Sequence, residues 1–173
     1  MPVCLKVVTL LRKNIQNMLR NSIAFSLLMV IAFSCTKTET PVFVDYGPID
    51  KIIIEDYLKA HDDTTAQSTA SGLYYIIQNP GGSIHPSTRS IVSVNYDGYL
   101  TDNTHFGAST PGTPYTSNLS YLIAGWQEGL KLIGAGGKIT LFCPSNLGYG
   151  ASSVGSIPAH SVLIFDIELV SFE

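Results

Sequence analysis

Ile49, Ile52, Ile53, Tyr57 and Leu58 recur at helical spacing through IDKIIIEDYLKAH, with Pro48 just ahead and Asp50 in the first turn. That is the pattern of one amphipathic helix of about three turns. The Ser, Thr, Ala and Asp cluster at 62–71 breaks the period and predicts a loop. Beyond it the period falls to two. Leu73 to Gln78 reads as a short strand, Asn79 to Gly82 as a turn, and Ser90 to Tyr96 alternates Ile91, Ser93 and Asn95 with Val92, Val94 and Tyr96. The Pro-Gly break between these two strands predicts that they pair antiparallel, and Asp97-Gly98 predicts a second turn. The stretch 101–117, rich in Thr, Ser, Gly and Pro, predicts loop with one edge strand near Tyr115. Helical spacing returns in Ile123, Trp126, Leu130 and Ile133 and ends at Gly134 and the Gly136-Gly137 pair, which can supply a left-handed cap. Lys138 to Phe142 and Val162 to Val170 complete the set of strands.

Strands, one helix and strands again make an α+β domain: an antiparallel β-sheet wrapped around one short α-helix, with an N-terminal helical extension. A chain of 173 residues suits one such domain plus a short extension. No repeat of 20–50 residues is visible, which removes solenoid architectures. The helix at 49–58 has two uses open to it, packing on its own domain or joining two copies.

Charge divides the chain. Lys6, Arg12, Lys13 and Arg20 all precede the eleven-residue apolar run Ile23 to Phe33, whereas beyond Cys35 six basic residues face all thirteen acids. The acidic remainder lacks the clustered Lys and Arg that phosphate neutralisation needs, so no nucleic acid partner is expected. The apolar run falls short of the roughly 20 residues that span a bilayer and reads as a signal-peptide core. It ends in AFSC followed by TKTET. This resembles a lipobox, with Cys35 as the acylated first residue of a bacterial lipoprotein and with Ala32 and Phe33 departing from the usual residues. Met18, followed by Leu19 and Arg20, would open a basic n-region of ordinary length, so it is the expected start. The division that follows is 1–34 signal peptide, 35–70 lipidated tether and amphipathic helix, and 71–173 folded domain, held at the cell envelope by its lipid. Of the remaining cysteines, Cys4 is in the leader. Cys143, between Phe142 and Pro144, is expected as a small buried hydrophobe rather than a nucleophile.

Several kinds of chemistry find no support. The GAGG at 134–137 follows a helix and precedes a strand, the reverse of a phosphate loop, and reads as a turn. His61, His85, His105 and His160 have no paired spacing, and no metal or cofactor is implied. Glu55-Asp56 and Asp62-Asp63 read as solvated acids, and there is no Gly-x-Ser-x-Gly elbow. What remains is aromatic: Tyr96, Phe106, Tyr115, Trp126, Tyr149 and Phe165, on six separate segments. By composition alone these are core.

Their order says more. VNYDGYL at 94–100, LIAGWQEGL at 122–130, GYGA at 148–151 and IPAHSVLIFDIEL at 157–169 resemble, in sequence order, the motifs of the FKBP-type peptidyl-prolyl cis-trans isomerases. The resemblance covers about Ser71 to Glu173 and implies an FKBP-like fold and rotation of X-Pro bonds in exported proteins. It implies a proline pocket floored by Trp126, with Tyr96, Phe106, Ile123 and Tyr149 as the catalytic set. Leu122, Tyr115, Ile157 and Phe165 would bind the substrate. The Ile123 position would offer a backbone amide and the Tyr149 position a hydroxyl to bound carbonyls. Partners would be proline-containing polypeptides and, through the lipid, a membrane; the pattern says nothing of oligomeric state. One departure bears on turnover. Gly107 stands where the family carries an Asp that makes a polar contact at the site, so reduced activity is an expectation. Two other readings therefore stand beside the enzyme: a proline-binding chaperone of weak turnover, and a structural lipoprotein that uses the 49–58 helix as its contact face.

Overall fold

The computed structural model describes residues 44–173. Met18, the apolar run Ile23 to Phe33, Cys35 and the tether up to Phe43 lie outside the described residues. Helix α1 spans Gly47–Ala60, with Pro48 inside its first turn. The strands are β1 (Gln67–Ser68), β2 (Tyr74–Asn79), β3 (Ile91–Leu100), β4 (His105–Ala108), β5 (Tyr115–Asn118), β6 (Gly137–Cys143) and β7 (Leu163–Phe172), and the short helix α2 (Ala124–Gly129) lies between β5 and β6. They form one antiparallel sheet in the order β1-β2-β6-β7-β3-β4, with β5 also on β3. β4 and β5 share one edge of β3: β5 takes Ile91 to Val94 and β4 takes Asp97 to Tyr99.

Alternation in the central strands builds two cores, one on each face. Leu163, Phe165, Ile167 and Leu169 of β7 and Ile139, Leu141 and Cys143 of β6 point to the side covered by α2. Ile164 and Phe142 point to the other side, where Ile54 and Leu58 of α1 meet them. The period of two is what allows ten-residue strands to serve both layers.

The sheet and the helix on it correct five expectations. β1 pairs with β2 from inside the 62–71 stretch expected to be loop. β2 does not pair with β3; it pairs with β1 and β6, since strand neighbours are chosen by long-range burial that a local turn does not encode. Asp97-Gly98 is not a turn but the middle of β3, paired with Asp166 and Phe165 of β7. Its glycine answers a close approach: a Cβ on Gly98 would lie 2.6 Å from the Phe106 ring. β4, in a stretch expected to be loop, forms because HFGA pairs with the part of the β3 edge that β5 leaves open. The α1 face also differs. Asp50, Ile54 and Leu58 are buried, while Ile49, Ile52 and Ile53 are exposed. The helix is rotated so that Asp50, Ile54 and Leu58 face the sheet, and Ile49, Ile52 and Ile53 do not.

The GAGG segment is a turn that closes on itself, Gly137 N–H donating to the Gly134 carbonyl at 2.9 Å, and it packs on the Asn79–Gly82 turn through Gly134 to Pro80 and Gly82 to Ala135. Cys143 is buried in the α2-side core, and burial, with Glu128 adding, pushes its thiol far above the ordinary range. It is inert there, as expected of a buried small hydrophobe.

Candidate active site

α2 has one turn and a half in which to place its aromatic. Gly125 lies against the Cys143 sulfur, where a Cβ would collide, so the helix sits low on β6 and drives Trp126 into the sheet face. The indole is 5% exposed. Tyr96 from β3 and Phe165 from β7 each meet it edge-to-face, both at 5.2 Å between ring centroids. Phe106 from β4 meets Phe165 in the same way at 5.4 Å, and Tyr115 from β5 meets Tyr96 at 5.9 Å. Such pairs add roughly 0.5–1.5 kcal/mol each beyond area burial, so rings from four strands and a helix hold one another in place.

Leu122 and Ile123 form the link between a 3-10 turn at Leu119–Tyr121 and α2. Gln127 pins that link, its Nε2 donating to the carbonyls of Leu122 (2.7 Å) and Ser120 (3.2 Å). Ile123 is the N-cap of α2, the end of a helix whose N–H groups have no partner within it. The opposite rim is a loop. After the 3-10 turn Ser145–Leu147 the chain turns at Tyr149, then folds a tight bridge in which Val154 and Ile157 exchange hydrogen bonds of 3.0 and 2.9 Å around Gly155 at φ +58°. Ile157 is buried by this bridge, whereas Tyr149 is 39% exposed.

Between the two lies a cleft of about 410 Å³ lined by Tyr96, Phe106, Tyr115, Leu122, Ile123, Trp126, Tyr149, Ile157 and Phe165, with Gly107, Tyr121, Val154, Gly155 and Ser156. All nine residues singled out for catalysis or substrate binding thus line one cavity. Tyr121, 84% exposed at the lip, and the Val154–Ser156 tip were not singled out. The only signal for them is adjacency, Tyr121 to Leu122 and the tip to Ile157.

The electrostatics of the cleft are uniform. No Asp, Glu, Lys, Arg or His is among its lining residues. Burial raises the Tyr96 hydroxyl above the ordinary tyrosine pKa, and the nearby Tyr115 and Tyr149 hydroxyls add to the rise, so the phenol stays a neutral donor. The Trp126 Nε1 is buried with no partner among the described residues. At Gly107 an added Cβ would sit 3.5 Å from the Tyr96 hydroxyl oxygen; a carboxylate there would have room and would reach that hydroxyl. The departure at Gly107 therefore removes a polar group from the cleft wall without closing the space it would fill. Such a site can desolvate an apolar ring and donate a few neutral hydrogen bonds. It has no side chain suited to move a proton at neutral pH.

Comparison with known proteins points the same way. The family model described as FKBP-type peptidyl-prolyl cis-trans isomerase matches residues 82–170. The chain is 44% identical over 121 residues to the FKBP-type peptidyl-prolyl cis-trans isomerase FkpA of Aeromonas hydrophila, covering 69% of this chain and 45% of the relative. It is 42% identical over 105 residues to FkpA of Escherichia coli, covering 60% and 39%. The chain thus spans less than half the length of these curated relatives. Among solved structures, FkpA from Escherichia coli superposes with a TM-score of 0.66 at 31% identity over 91% of this chain and 72% of that one. A peptidyl-prolyl cis-trans isomerase from Pseudomonas syringae superposes at 0.63 and 27% identity over 76% and 98%. Among the described residues no helix is long and apolar enough to cross a membrane.

Proposed function

The chain belongs to the FKBP-type peptidyl-prolyl cis-trans isomerase family, and from that premise we propose that it rotates X-Pro peptide bonds in exported polypeptides. The observation that carries this reading is the convergence of nine aromatic and aliphatic side chains from four strands, a helix and the connections beside them into one cleft without a formal charge.

The chemistry asked of the site is modest. The planar X-Pro amide must twist through a barrier of roughly 18–20 kcal/mol set by lost resonance. No bond is made or broken and no proton need move. In this reading the proline ring stacks on Trp126 between Tyr96 and Phe165. An apolar surround disfavours the charge-separated planar amide more than the less polar twisted one. The Ile123 amide and the Tyr149 hydroxyl hold the flanking carbonyls, and they favour catalysis to the extent that they fit the twisted form better than the planar one. Each increment of about 1.4 kcal/mol in that preference is tenfold in rate. Desolvation and two hydrogen bonds are of the size needed for several powers of ten.

A second reading is favoured by Gly107. With no side chain beside the Tyr96 hydroxyl, the cleft keeps its proline-binding shape while losing a polar contact, which would make it a binder of unfolded proline-containing chains with weak turnover. One experiment separates the two. A protease-coupled assay on an X-Pro tetrapeptide with residues 36–173 is expected to exceed the buffer rate and to fall with Tyr149→Phe and Trp126→Ala. Quenching of Trp126, the sole tryptophan, by the peptide with no gain over buffer would select the binder. Gly107→Asp then reports on the gap: a sharp rise in rate marks the missing carboxylate as the limit.

The lipid anchor belongs to the same proposal. A charged leader, an apolar run of eleven residues and Cys35 before a polar tether support a lipoprotein that holds the domain at the cell envelope. Metabolic labelling with palmitate, expected for the full chain and lost in Cys35→Ser, tests it. Equal labelling of both would move the anchor elsewhere, and labelling of neither would remove it.

A further inference from the structure

Outside the cleft, the polar group with least reason to be buried is Asp50. It lies in the first turn of α1, is 0% exposed, and shares its face with Ile54 and Leu58. Its Oδ2 accepts from both the backbone N–H (2.8 Å) and the hydroxyl (2.6 Å) of Ser145, while Oδ1 has no partner among the described residues. Burial of a carboxylate costs several kcal/mol unless it is well paired. Packing alone would be served better by another isoleucine.

What Asp50 grips is the root of the rim loop. The Ser145 carbonyl accepts from the Gly148 and Gly150 N–H groups at 3.0 and 2.8 Å, which sets the turn that carries Tyr149. The far root is held as well. The N–H of His160, at φ +59°, donates to the Gly150 carbonyl at 2.8 Å, and its ring stacks on Tyr46 with centroids 3.6 Å apart and planes 7° from parallel. Tyr46 is the N-cap of α1, and its carbonyl accepts from the Asp50 N–H at 2.8 Å. A single helical turn therefore touches both ends of the loop, one by a buried carboxylate and the other by a stacked ring.

We propose that Asp50 and Tyr46 are positioning residues for the cleft, the α1 segment acting as a clamp that fixes the Ser145 and His160 roots and so sets where Tyr149 and Ile157 stand. The proposal rests on the isomerase reading for its effect on rate, but not for its effect on the loop. The clamp lies upstream of Ser71, so the domain that begins there by motif lacks part of what shapes its site.

The test uses the full chain and two readouts. In Tyr46→Ala and Asp50→Ala, amide hydrogen exchange of Gly148, Gly150 and His160 is expected to quicken at least about tenfold while amides of β3 and β7 keep their protection. The kcat/KM on an X-Pro tetrapeptide is expected to fall on the order of tenfold, as a displaced contact does. Tyr46→Phe keeps the stacked ring and restores the loop. Because the clamp acts through Tyr149, Tyr46→Ala should cost much less when added to Tyr149→Phe. If Asp50→Ala does not fold, Ser145→Ala, which keeps the backbone hydrogen bond, stands in its place with a smaller shift in the same direction. Unchanged loop exchange in Tyr46→Ala, or full additivity with Tyr149→Phe, overturns the proposal. If the wild type shows no isomerisation, the enzyme reading fails alone, and loop exchange still decides the clamp.

Discussion

The floor and the rim of the cleft are built by opposite means. The floor is sheet and helix: Trp126, Tyr96 and Phe165 meet edge-to-face, and each is backed by a strand paired on both sides. The rim is a long connection from Ser145 to His160, shaped by turn hydrogen bonds and touched at its two roots by Asp50 of α1 and by Tyr46, the residue that caps that helix. The contrast divides labour. The floor supplies an apolar surface whose geometry is redundant, and in the proposed mechanism the rim supplies the Tyr149 hydroxyl, whose geometry is not. Changes in the floor should therefore be read mainly in stability, and changes in the rim mainly in rate.

The largest effect expected is Trp126→Ala, which empties the floor and should cost about 3–5 kcal/mol in denaturant unfolding. Trp126→Phe should cost far less than that, since the indole N–H has no partner to lose. Next comes Gly98→Ala, whose Cβ would meet the Phe106 and Phe165 rings; a cost of about 1–3 kcal/mol is expected, with a shifted near-ultraviolet dichroism from the displaced aromatics. On the rim, Tyr149→Phe should leave the unfolding midpoint within about 0.5 kcal/mol. It should lower kcat/KM by a few-fold to tenfold, the worth of one neutral hydrogen bond. If Tyr149→Phe instead unfolds the protein, or Trp126→Ala only slows it, the division between floor and rim is wrong. The smallest effect is at Cys143, where a maleimide should not react with the native domain and should react once it is unfolded.

The same division explains what the sequence discloses. Floor residues sit in motifs with fixed local spacing, so Tyr96, Trp126 and Phe165 could be named from VNYDGYL, LIAGWQEGL and IPAHSVLIFDIEL. Tyr149 and Ile157 could be named as well, from the resemblance of GYGA and of the start of IPAHSVLIFDIEL. The hands that hold the loop could not. Asp50 lies 95 residues from Ser145, and within α1 the run Ile52-Ile53-Ile54 outweighs one acid in any count of apolar positions. The face that is buried carries that acid all the same, beside Ile54 and Leu58. Gly98 misled for a related reason: Asp-Gly is turn chemistry locally, yet here the glycine makes room for Phe106 from the neighbouring strand. The pairing of β2 with β6 rather than β3 is likewise decided by burial on two faces, and no dipeptide records it.

The claim that joins floor and rim is that an uncharged cleft suffices to twist an X-Pro bond. Burial first, and the neighbouring Tyr115 and Tyr149 next, raise the Tyr96 pKa above the ordinary tyrosine value. The phenol therefore stays a neutral donor across the neutral range. Its contribution to stability is full below the unfolded value and is lost as pH rises through the folded one. The most direct test is the pH profile of kcat/KM for an X-Pro tetrapeptide, followed from about pH 6 to 9, across the range in which a histidine or cysteine would titrate. The account predicts a rate above buffer at every point and a flat profile. A bell-shaped profile, or a rate no faster than buffer, would contradict it.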